Sequence, residues 1–381
     1  MKHDYDVIVM GVGGMGSAAL YALARRGAKV CGIERFGVAH DRGSSHGDTR
    51  IIRKAYFEHP DYVPLLHRAY ELWAELEEAA GADLFTQCGF LTVAQPGSAS
   101  IQGLEACYGA HDMPHERLAA AEITERFPQM KPEPGAVGFF DPLGGYLRVE
   151  DCVTQHIEQA RAAGAELLTE TAVLSWHPID GGVVVRTADT EITARRLVMA
   201  TGAWAAPELE RLGVTIQVWR KVLFWYDTPE PGPFLADSFP TFYVEKDYGH
   251  FYGFPSVDDQ GVKVAEHLAA TPIDDPTAVQ RALLPEDEPP VQRFLSETFP
   301  AVLPGHTKHA VCMYTMTPDE NFVIDRHPLH PQVVICGGFS GHGFKFASVV
   351  GEIVADLALE GATRHRIEFL GIGRFPSRYP G

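Results

Sequence analysis

Nowhere in the 381 residues does an apolar run reach the roughly 20 residues that a membrane span requires. No membrane partner is therefore expected. A surplus of positive charge is also missing: 32 Lys and Arg stand against 50 Asp and Glu, a formal net charge of −18. Such a surface repels nucleic acid, which is excluded as the main partner. It also repels a small anionic substrate, so a carboxylate site would need its own local cations. The six cysteines (31, 88, 107, 152, 312, 336) are scattered, with no C-x-x-C pair. That spacing argues for a reducing compartment rather than a disulfide scaffold, and no metal is expected. Internal repeats and low-complexity segments are absent too. Apolar sequence begins at Tyr5, so no secretory leader is expected. Ser377–Gly381 does not read as a peroxisomal address. The cytoplasm is the expected location.

What is there is dominated by the first 50 residues. Tyr5 to Met10 reads as a short buried strand, followed by Gly11-Val12-Gly13-Gly14-Met15-Gly16, a G-x-G-x-x-G. A helical run follows from Ser17 to Arg26, then a second apolar stretch from Lys29 to Ile33 that ends at Glu34. Glycines let the backbone turn tightly and approach a pyrophosphate, and the helix N-terminus offers free N–H groups to it. Glu34 stands at the distance at which a carboxylate accepts from a ribose. The alternative is a glycine turn in an ordinary α/β protein. The order strand, turn, helix, strand and acid favours dinucleotide binding.

The length exceeds one simple domain, and two lobes are expected. Asp61 to Ala80 carries apolar residues at helical spacing, and Cys88 to Val93 is strand-like. Residues 96–145 mix helical patches with Pro and Gly and do not resolve. Arg148 to Gly164 reads as an amphipathic helix closed by glycine. Strand-like pieces follow at 165–168, 172–176 and 182–186. Arg196 to Trp204 is a buried strand running into a glycine turn. Residues 216–310 are rich in aromatics and β-formers and predict an antiparallel sheet, with a Pro- and acid-rich helical stretch around 275–300. Val333 to Gly338 is a strand into glycines, and Lys345 to Leu359 a helix. The expected class is α/β with an α+β substrate lobe. A discontinuous Rossmann-like domain takes 1–85, 147–215 and 320–381. A mainly antiparallel substrate domain takes 86–146 and 216–319.

Four constellations could carry chemistry. His46, Arg50 and Arg53 crowd cations around Ile51 and Ile52, which suits a phosphate or carboxylate gripped by guanidinium. The alternative is an ion pair of one arginine with Asp48. Phe339-Ser340-Gly341-His342-Gly343-Phe344-Lys345-Phe346 leads a glycine-rich loop into a helix, whose N–H groups suit a second polar part of a cofactor. Lys345, between two Phe, either meets an anion or snorkels to solvent. Cys312, in Cys312-Met313-Tyr314-Thr315-Met316, reads by itself as an inert buried thiol. Tyr252, Lys263 and His267 read by themselves as strand residues and surface charges.

Taken together, Gly11–Gly16, His46–Arg53, Cys312–Glu320 and Gly338–Phe346 resemble the monomeric sarcosine oxidase and N-methyltryptophan oxidase family. These are flavoenzymes of the wider amino-acid-oxidase-like group. The resemblance runs over nearly the whole length. It implies FAD, attached through an 8α-S-cysteinyl bond to Cys312. Gly11, Gly13, Gly14, Met15, Gly16, Glu34, Arg35, Ser44, Ser45, Arg50 and Val173 would lie along the cofactor. Gly338, Gly341, Gly343 and Lys345 would meet its other end. Arg53 and Lys345 match the pair that binds a substrate carboxylate, with Tyr252, Tyr314 and His267 lining the substrate cavity. Lys263 matches a lysine that activates O2, where a fixed positive charge favours superoxide as it forms. Arg50 and His46 complete the implied catalytic set. Ser45 departs from the family, which often carries two consecutive histidines after Gly-Ser. The expected activity is oxidative demethylation of an N-methyl amino acid by a monomer using O2. The alternative is an oxidase or dehydrogenase of a cyclic secondary amino acid such as pipecolate or proline. A non-catalytic FAD- or NAD-binding module would have no need of Cys312, Lys263 and Lys345 together.

Overall fold

The computed structural model describes residues 3–269 and 271–376; Ser377–Gly381 lies outside them. Five parallel strands form the centre of an eight-stranded sheet, in the order Glu166–Leu168, Val30–Ile33, Tyr5–Met10, Glu191–Met199 and His330–Gly337. Val323–His327 adds an antiparallel edge, and the hairpin Ser175–Ile179 with Gly182–Arg186 grips the first half of Glu191–Met199. The central strands become continuously apolar and buried toward their C-terminal ends, where helices cover the sheet. Gly14–Arg25 packs there against Val149–Ala162 and Ala347–Leu359. Small residues set the spacing: a Cβ at Gly351 would come within 2.6 Å of the Ala18 backbone.

The second sheet has nine strands, drawn from 90–141 and 217–316. It is antiparallel except where Thr241–Lys246 runs parallel to Phe90–Ala94. Strand alternation gives it two unlike faces. Phe224, Tyr226, Phe242, Val244, Phe251 and Val264 point one way and are covered by helix Pro289–Thr298, with Phe294 stacked on Phe251 at 4.3 Å. Opposite register pairs carry polar chemistry on the other face: Tyr243 with Tyr252, Phe254 with Lys263, Lys221 with Cys312. A small three-stranded sheet, Thr49–Ile52, Gly145–Arg148 and Phe85–Thr86, lies between the two large ones in sequence and carries Arg50.

Three local expectations shift. The strand read at 172–176 starts at Ser175, because Thr171 spends its N–H on the Glu34 carbonyl at 2.9 Å and the chain first runs beside the second strand. The stretch 275–300 holds a 3-10 turn at Pro276–Ala278, and its α-helix starts only at Pro289, where proline suits the first turn. Residues 96–145 hold helices Ala99–Ala110 and Ala120–Arg126 with strands between, each too short for periodicity to show.

Candidate active site

A cavity of about 680 Å³ starts at the glycine turn and ends against the second sheet. At its first end the turn is held by contacts that tolerate no side chain. Gly11 has φ +83°, and a Cβ at Gly16 would lie 1.8 Å from the Gly11 carbonyl oxygen. Gly13 differs: a Cβ there would meet no protein atom within 4 Å, so its bareness serves the cavity and not the packing. The helix beyond has no acid in its first turn, leaving its positive end uncompensated. Glu34 accepts from the Val12 and Phe36 N–H groups at 2.7 and 3.0 Å and meets His40 Nε2 at 3.3 Å. Burial opposes its charge, but His40 and these donors outweigh burial and hold the carboxylate below its ordinary range. Arg35, Met15, Ser44, Ser45 and Val173 also line this half, and the Gly14 N–H donates to Ser45 Oγ at 3.2 Å.

At the junction of the sheets, Arg50 lines the cavity without pairing with Asp48, which is bound instead by Lys308 at 2.8 Å. Arg50 donates to Ser44 O at 2.7 Å, and its Nη2 lies 3.3 Å from Cys312 Sγ. The thiol also donates to Ser44 O at 3.4 Å. Lys263 is a buried cation and not a surface one. Its Nζ donates to Gly47 O at 2.5 Å, Thr49 O at 2.8 Å and Thr49 Oγ1 at 3.0 Å. Burial, then Arg50, pushes its pKa well down. Three acceptors nevertheless match the three hydrogens of an ammonium, which is the form we assign. Lys263, Cys312, His46, Gly16 and Gly338 stand behind the cavity wall, not in it. His46 is driven to about 3 by burial and Arg50, hence neutral, and its Nε2 has no hydrogen-bond partner among the described residues.

The far end holds the second pair of cations. Arg53 and Lys345 both stand over the Tyr56 ring, at 4.5 and 5.2 Å from its centroid. Lys345 does not snorkel; its Nζ donates to His342 O at 2.7 Å. Arg53 donates to Glu58 Oε1 at 2.8 Å and Oε2 at 3.2 Å. Burial disfavours the Glu58 charge, but Arg53, then His342 and Lys345, keep its pKa lowered. Tyr314 OH donates to Tyr252 OH at 3.4 Å and lies 3.4 Å from His267 Nδ1. Burial brings His267 to about 3, so it is a neutral imidazole and not a surface charge. Gly341 lets the loop lie on the Tyr314 ring, where a Cβ would come within 2.4 Å, while Gly343 packs on Phe339.

Glu58, Tyr56, His342 and His40 escaped the sequence reading. Glu58 sits five residues after Arg53, in a loop with no periodicity to mark it. His342 stood inside the quoted glycine loop without a role.

The FAD dependent oxidoreductase family model matches residues 6–357. The chain belongs to this family. It is 44% identical to the monomeric sarcosine oxidase of Streptomyces avermitilis, covering 96% of this chain and 97% of that one. It is 36% identical to the N-methyl-L-tryptophan oxidase of Yersinia pestis, covering 98% and 100%. Among solved structures it superposes on NikD, described as an unusual amino acid oxidase, with TM-score 0.87, 25% identity and coverage of 100% and 99%. As a family member the chain needs room for FAD. The open side of Gly13, the uncompensated helix end and the ribose-ready Glu34 fit that cofactor.

Proposed function

We propose that this protein is an oxidase of N-methyl amino acids. The substrate, O2 and water give the primary amino acid, formaldehyde and H2O2. The observation that carries the reading is the pair of buried cations, Arg53 and Lys345, over one Tyr56 ring at the far end of the cavity. They supply the local positive site that an acidic body must build for a carboxylate. The names of the relatives support the same substrate class.

Bound FAD supplies the redox chemistry, taking the electron pair from the substrate C–N unit and delivering it to O2. The protein's part is positioning. Arg53 and Lys345 carry two positive charges against the one negative charge of Glu58, so a substrate carboxylate placed between the two cations completes the balance. Tyr252, Tyr314 and His267 then form the wall against which the amine lies. Neutral His267 adds no charge there, and the nearby cations favour the uncharged amine. Lys263 holds a fixed ammonium behind the wall for oxygen reduction. Cys312 is the proposed attachment point, with Arg50 Nη2 3.3 Å from its sulfur. We further propose that the enzyme acts as a cytoplasmic monomer.

A peroxide-coupled screen with N-methylglycine, N-methyltryptophan, other N-methyl amino acids and pipecolate tests the activity. Peroxide and formaldehyde should appear together with one or more of the N-methyl substrates; turnover of pipecolate alone would overturn the reading. Acid-precipitated protein should stay yellow, and Cys312→Ser should release its flavin. A colourless wild-type pellet would remove the covalent link.

A further inference from the structure

We propose that Phe57 and Tyr243 form an aromatic wall that restricts the substrate's α-substituent to hydrogen or methyl. This rests on the N-methyl amino acid reading and names the size class within it. Both rings line the far end of the cavity, and the chemistry described above uses neither.

The backbone fixes where each ring stands. Tyr243 lies opposite Tyr252 in the antiparallel register, so its side chain shares the cavity face of the second sheet. Its hydroxyl bonds to His250 Nδ1 at 2.6 Å, and its ring meets His267 edge-on, with centroids 6.0 Å apart. The hydrogen bond and the edge contact leave it no free rotation. Phe57 belongs to the loop that follows Arg53. Its ring centroid is 4.6 Å from the Arg53 guanidinium carbon and 6.1 Å from the Tyr243 centroid. Behind it stands helix Ala99–Ala110, packed so closely that a Cβ at Gly103 would fall 2.6 Å from the Phe57 Cβ. The helix therefore fixes the base of Phe57, and the Arg53 guanidinium and the Tyr243 ring flank its ring.

The α-carbon of an amino acid is one bond from its carboxylate. With the carboxylate on Arg53, an α-substituent emerges beside Phe57 and faces Tyr243. Hydrogen fits at no cost. A branched or aromatic group must displace rings that are pinned, and such steric differences change specificity by roughly 10- to 200-fold per group.

The experiment compares kcat/KM for N-methylglycine, N-methyl-L-alanine and N-methyl-L-leucine in flavin-loaded wild type, Phe57→Ala, Tyr243→Ala and Tyr243→Phe. Wild type should favour both N-methylglycine and N-methyl-L-alanine over N-methyl-L-leucine by roughly tenfold or more, and N-methyl-L-alanine turned over as poorly as N-methyl-L-leucine would overturn the size limit. Phe57→Ala and Tyr243→Ala should narrow that gap at least roughly tenfold by gaining on N-methyl-L-leucine, while Tyr243→Phe keeps the ring and the selectivity. Where Tyr243→Ala does not fold, Tyr243→Met serves, with a smaller gain in the same direction. An unchanged gap in the truncated variants overturns the wall, as does a relaxed one in Tyr243→Phe. A wild type that makes peroxide from no N-methyl amino acid overturns the underlying activity instead, a pattern visible before any variant is read.

Discussion

Lys345 is a cation in an apolar setting, and its titration follows from that. Burial, then Arg53, lowers it to about 7 against the pull of Glu58. The charged form exists below that value and is lost as pH rises through it. If Lys345 grips the substrate carboxylate, kcat/KM falls above about pH 7, and Lys345→Arg, which stays charged, removes that limb. A wild-type profile flat to about pH 9 would count against the grip. The stability sign is opposite to that of an ordinary ion pair. An unfolded lysine titrates near 10.5, so between about 7 and 10.5 the unfolded chain holds the extra proton, and this group's contribution to stability rises with pH. Lys263 differs because its ammonium has three protein acceptors. Lys263→Met should slow reoxidation of the reduced flavin by O2 roughly a hundredfold while leaving reduction by substrate nearly intact. Stopped-flow traces showing equal losses in both half-reactions would assign Lys263 to structure alone.

At the scale of elements, the glycine turn separates folding from binding within four residues. Gly16→Ala forces a Cβ to 1.8 Å from the Gly11 carbonyl, which the turn has no way to relieve. That variant should lose several kcal/mol, in the range of severe packing errors (about 3 or more). Gly13→Ala adds a methyl that meets no protein atom, so the apoprotein should melt within about 0.5 kcal/mol of wild type while its FAD affinity drops sharply. Melting curves with and without FAD distinguish the two. A Gly13→Ala protein that binds FAD normally would show that the phosphates do not approach this turn. The second sheet makes a similar division through alternation. Its outward face of phenylalanines folds the lobe, and its inward face of Tyr243, Tyr252, Lys263, Cys312 and Tyr314 meets the cavity or stands just behind it.

Across the whole molecule, the site depends on contacts between segments far apart in the chain. Lys263 reaches from the nine-stranded sheet to Gly47 and Thr49, and Arg50 reaches back to Cys312. Arg281 does the same from outside the cavity, donating to Asp41 O and Arg42 O at 2.8 Å and to Val311 O at 2.5 Å. It ties the loop before Ser44 to the strand that carries Cys312. Arg281→Ala should leave the sheets intact but raise amide exchange across residues 41–47 roughly tenfold, since each lost hydrogen bond is worth about 1 kcal/mol. Exchange confined to the 280 region would mean that the strap carries no load.

The order of elements in the first 34 residues was readable directly, because a glycine turn, a helix and a terminal acid are local features fixed by backbone geometry. The helix spans 62–80 and 149–162 were readable for the same reason. The burial of Lys263 and His267 was not, since a charged residue on a strand looks the same whether its face meets water or another lobe. Nor was Glu58, whose place on Arg53 depends on a loop with no periodic signal. Spacing along the chain determined the dinucleotide turn. Tertiary contact alone decided which cations are buried, which anion they hold and how much room Phe57 and Tyr243 leave, because those are properties of surfaces that meet only after folding.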